Sequence, residues 1–185
     1  VGGIVGLFTN KGKIEDCTNE GKLAINSKGD SEGIIWAGGI AGHSINGEII
    51  DCINKGEINS NGSYVGGIAG TSNCKIEKSH NEGNIEVNIG NNNNSCAGGI
   101  VGQLNGNNTS DAKIENCYNI GTIHGKGDHV GGIASAIIRA NISNSYNTGN
   151  IISDTGIVGG IAGDVFQNEN GELANIENCY NTGKI

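Results

Sequence analysis

Short apolar pulses, each flanked by glycine and polar residues, recur along the whole chain, and they recur in register. Residues 112–123 read A-K-I-E-N-C-Y-N-I-G-T-I, with counterparts at 12–23, 47–58, 75–85, 141–151 and 175–185. Each counterpart follows a second motif of the form [AV]-G-G-I-[AV]-G, at 1–6, 37–42, 65–70, 97–102, 130–135 and 158–163, where Ser135 ends the fifth copy in place of Gly. The asparagines after the Cys/Ser position, Asn19, Asn54, Asn81, Asn119, Asn147 and Asn181, are spaced 35, 27, 38, 28 and 34 residues apart. The basic unit is therefore 27 to 28 residues, and the longer spacings are that unit plus insertions. A period of this size is the signature of a stacked repeat architecture.

The G-G-I segments are too short and too glycine-rich for a helix, whose interior loses about 1 kcal/mol per Gly relative to Ala. A short strand whose glycines let neighbouring backbones approach closely fits better. The K-I-E-N-C segment reads as a second strand and the G-x-I segment as a third. The last is reached through residues such as Asn119 and Gly121, which tolerate the left-handed conformation of a tight corner. Three strands per unit describe one turn of a β-solenoid. The fold expected is all-β, a parallel β-helix of about six three-strand coils in one domain over 1–185, right-handed, with units rising about 4.8 Å each.

That stacking predicts two buried isoleucine columns, Ile4, Ile40, Ile68, Ile100, Ile133 and Ile161, and Ile14, Ile49, Ile76, Ile114, Ile142 and Ile176. It also turns the six asparagines into an internal ladder, each amide bonding to the next coil and to corner backbone groups. The insertions, 24–36, 86–96, 103–111 and 164–173, fall at corners, where recognition loops sit in solenoids. The segment Ser135 to Ala140, with the only Arg, is apolar and is expected to pack against something.

Composition changes this picture little. The chain of 185 residues has 34 Gly and no Pro, but the glycines keep register with Ile and Val, so it reads as folded rather than low-complexity. A net charge of -8, with no Lys/Arg cluster, argues against nucleic acid. No apolar run is long enough to span a bilayer, so no membrane insertion is expected in this segment. The chain starts and stops inside repeats without evident caps, so it is expected to be continuous with further domains of a longer chain.

Cys17, Cys52, Cys117 and Cys179 share one repeat position with Ser79 and Ser145, which marks a small buried site. In-register cysteines about 4.8 Å apart exceed the ~3.8 Å Cβ separation of a disulfide, so free thiols are expected there. Cys74 and Cys96 lie outside that column and pair only if their loops meet.

Glu15, Glu77, Glu115 and Glu177 repeat and read as a solvated stripe, not as the converging carboxylates of a glycosidase. Arg139 is a lone base candidate. His124 and His129 are close enough in sequence to share a corner, but His43, His80, His124 and His129 show no ligand spacing, and no calcium motif is present. No cofactor, metal or catalytic residue is assigned. Tyr118, Tyr146 and Tyr180 fall at one outward position beside Thr18, Ile53 and His80, and with the single Trp36 they are the candidate ligand-binding residues.

The alternation of [AV]-G-G-I-[AV]-G with I-x-N-[CS]-Y-N-x-G-x-I, clearest at 97–123 and 158–185, resembles the GLUG repeats of bacterial surface and secreted proteins. Such repeats occur in adhesin-like proteins and in regions of proteins similar to IgA-specific metallopeptidases. The resemblance implies an extracellular or cell-surface β-module without catalytic residues, and the peptidase zinc motif H-E-x-x-H is absent here. The expected function is a non-catalytic adhesive stalk or ligand-binding scaffold whose partner is a host or matrix glycan or protein. The alternative is a carbohydrate-active β-helix, a polysaccharide lyase or glycoside hydrolase.

Overall fold

The computed structural model describes residues 1–9, 11–26, 34–88, 95–106, 112–154, 156–166 and 174–185. All regular structure among them is β, in short strands that pair only in parallel, each with its counterpart one unit away. The third unit shows the plan. Tyr64–Gly66 lies in sheet 1, Ala69–Ser72 in sheet 2, Lys75–Glu77 in sheet 3, His80–Asn81 in sheet 4 and Ile85–Val87 in sheet 5. Sheets 2, 3 and 4 are six strands deep and sheets 1 and 5 are five deep. The chain is thus a parallel β-solenoid with five strands per full coil rather than three: the G-G-I segment is bent into two strands, and a further two-residue strand, such as Tyr118–Asn119, lies between the second and third expected segments.

The bends have physical causes. Between sheets 3 and 4 a single residue takes a left-handed conformation in every unit: Asp16, Asp51, Lys78, Asn116, Asn144 and Asn178, with φ between 49° and 55°. Asn and Asp tolerate this region because their short side chains bond locally, which suits five of the six positions. The expectation that Asn119 and Gly121 supply the left-handed corner is corrected. Asn119 is in a strand, and the one described glycine with positive φ is Gly156. Gly121 is required by stacking instead, since a Cβ there would lie 2.1 Å from the Gly83 carbonyl oxygen.

Register follows the apolar pattern. Ile14, Ile49, Ile76, Ile114, Ile142 and Ile176 pair in sequence across sheet 3, and a one-residue slip would turn every one of them outward. All but Ile176 share a core with Ile40, Ile68, Ile100 and Ile133 between sheets 2 and 3. A second core, including Ile58, Val65, Ile85 and Ile123, lies between sheets 5 and 1. Both columns are sealed in the middle, but Ile4 and Ile176 in the end rungs are 45% and 38% exposed, because each lacks a neighbour on one side.

Segment 135–140 packs partly inward, through Ile137 and Ala140. Ile137 joins the larger core, and the Ser135 hydroxyl donates to the His129 carbonyl at 2.8 Å. Arg139 forms the left-handed corner that Asn46 forms in the second unit.

Candidate functional site

Sheet 4 consists of two-residue strands, so one residue of each faces in and the other out. The inward residues form the asparagine ladder. The side-chain amide of Asn19 donates to the Asn54 carbonyl oxygen, Asn54 to Asn81, Asn81 to Asn119, Asn119 to Asn147 and Asn147 to Asn181, all at 2.7 Å. The second hydrogen of each amide goes to the carbonyl two residues on, as from Asn81 to Gly83 at 2.7 Å. Both donors of every amide from Asn19 to Asn147 are therefore used within the stack, which leaves them none for a ligand. Opposite the ladder runs the second glycine of G-G-I. A Cβ on Gly67 would fall 2.4 Å from Asn81 Cγ and 2.2 Å from the Gly99 carbonyl oxygen. Ladder and glycines meet between the two cores.

The outward residues of sheet 4 form an aromatic row from the third unit onward, after Thr18 and Ile53. His80 stacks on Tyr118 with ring centroids 4.3 Å apart, Tyr118 on Tyr146 at 5.0 Å, and Tyr146 on Tyr180 at 4.9 Å, with planes within 11° of parallel. Tyr118 and Tyr146 thus have both ring faces covered by neighbours, and they present edges and hydroxyls to solvent. Tyr180 has one face on Tyr146 and is 53% exposed. The three tyrosines named from sequence are brought together; Trp36 is not among them. It lies in sheet 1, paired in register with Tyr64, and its ring is 4.6 Å from that of His43 in sheet 2.

Three of the four repeated carboxylates of sheet 3 have lysines two residues earlier on the same face, and Glu177 has Asn175 there. Lys13 meets Glu15 at 3.4 Å, Lys75 meets Glu77 at 2.5 Å and Lys113 meets Glu115 at 3.2 Å. The Lys75 ammonium holds the Glu77 carboxyl below its ordinary range. A general acid needs the opposite shift. The K-x-E spacing was a legible signal for these pairs.

His124 and His129 occupy different sheets, each with its own carboxylates. His124 bridges three coils, its Nδ1 3.0 Å from Glu86 and its Nε2 3.1 Å from Asp154. Carboxylates at both nitrogens favour the doubly protonated ring, and the His124 pKa is raised, first by Asp154. His129 pairs with Asp164 at 3.3 Å.

All six cysteines are free thiols. Cys96 lies in a sheet 1 strand rather than in a loop, and Cys74 is buried near the start of sheet 3. In the shared column, Cys117 Sγ donates to the Glu115 carbonyl and Ser79 Oγ to the Glu77 carbonyl, so either residue meets the same need. Burial pushes the Cys52 thiol up to about 11 and Cys117 to about 12.

Of the insertions, 27–33, 89–94, 107–111 and 167–173 lie outside the described residues. Among the described residues, no helix is long and apolar enough to cross a membrane. No curated protein and no solved structure matches the chain. The family model for the GLUG motif matches residues 93–123, and the residues of that motif recur in the other units of the solenoid.

Proposed function

We propose that this chain is a non-catalytic module of a bacterial cell-surface or secreted protein, acting outside the cell as an adhesive stalk or ligand-binding scaffold. The observation that carries the reading is the division between repeating and non-repeating positions. Repeating side chains are consumed in holding the stack: ladder amides are saturated, and three of the four repeated carboxylates are matched by lysine. Trp36, at a position that does not repeat, and the edges of the stacked tyrosines keep surface on the outside, where a solenoid offers a long face to a partner. Its partner is a glycan or protein of a host or matrix, met by Trp36 and by the edges of Tyr118, Tyr146 and Tyr180.

The test is to immobilise the chain and present acidic polysaccharides, neutral polysaccharides and matrix proteins, following both retention and the size of recovered polymer. Retention of at least one partner at unchanged size is the expected result. Shorter products would replace this reading with the lyase or hydrolase, and no retention of any partner would overturn it.

A further inference from the structure

Sheets 1 and 2 fold against each other on the outside of the rod, and the floor of the crease between them is bare backbone. A Cβ on Gly66 would lie 2.1 Å from the Ala69 carbonyl oxygen and 2.7 Å from Val101 Cα, so no side chain fits there. The walls are two rows. Trp36 pairs with Tyr64 on sheet 1, and His43, Thr71 and Gln103 pair in sequence on sheet 2. Trp36 meets His43 across the crease, and Gln103 in the next coil lies near the Tyr64 hydroxyl. Unlike the columns that hold the stack, these rows do not repeat. They continue Trp36, Tyr64, Cys96, His129 and His43, Thr71, Gln103, Ala136.

A position released from repetition is free to be specific. Trp36, His43, Tyr64 and Gln103 are all half-buried, so each keeps some surface for a partner. Thr71 stands between His43 and Gln103 with 5% exposure, and its hydroxyl has no hydrogen-bond partner among the described residues. Buried polar groups are almost always satisfied, and an unsatisfied one calls for an explanation.

We infer that this part of the crease, at Trp36, His43, Tyr64, Thr71 and Gln103, is a binding site for a neutral glycan. The inference rests on the scaffold reading and names the ligand class. Aromatic rings accept the C–H face of a sugar, while an amide, an imidazole and a hydroxyl meet its OH groups. Neither row contains Lys or Arg, and the chain carries -8 overall, so an acidic glycan would find no cation to pair with. Burial lowers the His43 pKa, which keeps that wall uncharged at neutral pH. Farther along, the crease carries a carboxylate, with Asp164 3.3 Å from His129.

Trp36 is the only tryptophan, so its emission reports directly on the site. Cello-, manno- and galacto-oligosaccharides would be titrated into the intact chain, with oligogalacturonate as the charged control. At least one neutral oligosaccharide should change the emission saturably and independently of salt. Gln103→Ala and Thr71→Val should each weaken that binding tenfold or more. Thr71→Val keeps the side-chain volume and removes the orphan hydroxyl, so its melting temperature should hold or rise while affinity falls, which separates lost function from lost fold. Silence across the neutral panel, wild-type affinity in both variants, or tighter binding of oligogalacturonate would overturn the site. Polymer or protein retained by the immobilised chain with Trp36 silent would sink the crease and leave the scaffold reading standing.

Discussion

Removing one rung from the middle of the asparagine ladder should cost far more than removing one from its end. In Asn81→Ala three buried groups lose their partners: the Asn54 amide that donated to Asn81, the Asn119 carbonyl that accepted from it, and the Gly83 carbonyl. Each unsatisfied buried group costs about 1–3 kcal/mol, so the sum is about 3–9 kcal/mol. That is comparable to the whole stability of about 5–15 kcal/mol of an ordinary domain. Asn181→Ala frees only the Asn147 amide and the Gly183 carbonyl in a half-buried rung that water reaches, at about 1 kcal/mol. Asn81→Asp should be worse than Ala near neutral pH, because a carboxylate faces two acceptors with no hydrogen to give. The buried carboxyl binds its proton more tightly in the folded chain than in the unfolded one, so the variant should regain stability as pH falls toward the ordinary Asp range. Equilibrium urea unfolding of the four proteins measures these differences. Equal costs for Asn81→Ala and Asn181→Ala would refute the claim that the ladder is a buried, satisfied chain of amides.

Three further outcomes follow from the same geometry. Gly67→Ala places a Cβ 2.2 Å from the Gly99 carbonyl and should lower the melting temperature sharply or prevent folding, whereas Gly6→Ala meets nothing within 4 Å and should leave it almost unchanged. The Glu86–His124–Asp154 bridge raises the His124 pKa, so its contribution is full below the ordinary value near 6.5 and fades as pH rises through the raised folded value. His124→Gln should remove that slope from the stability-pH profile, and an unchanged slope would count against the bridge. Burial holds the Cys117 thiol near 12, so it should resist iodoacetamide in the native chain, and Cys117→Ser should cost no more than about 1 kcal/mol because Ser79 and Ser145 already occupy that column.

Much of the fold was legible because the same residues recur wherever the same neighbours do. Ile76 and Asn81 meet copies of themselves above and below, so their roles could be read from repetition alone. The corner before the Cys/Ser column was harder. Lys78 fills it in one unit, and a lysine gives no sign of a left-handed backbone, although Asp or Asn in the other five is a signal that could have placed it. The crease was the least legible. Trp36 drew notice as the only one of its kind, but His43, Tyr64, Thr71 and Gln103 are unremarkable one at a time. Their meeting depends on contacts between sheets and across coils, which no single unit encodes. Their fixed offsets from the G-G-I motif were the available clue.

Everything above depends on six units stacking in parallel, one rung per repeat. Spin-labelled amino acids at positions 18 and 180 test this directly, because Thr18 connects through Ile53, His80, Tyr118 and Tyr146 to Tyr180 by in-register pairing. Five steps of about 4.8 Å place the two backbones about 24 Å apart. A single narrow distance distribution consistent with that spacing is the predicted result. A broad distribution, or a narrow one at a clearly different separation, would contradict the stack and the ladder and crease built on it.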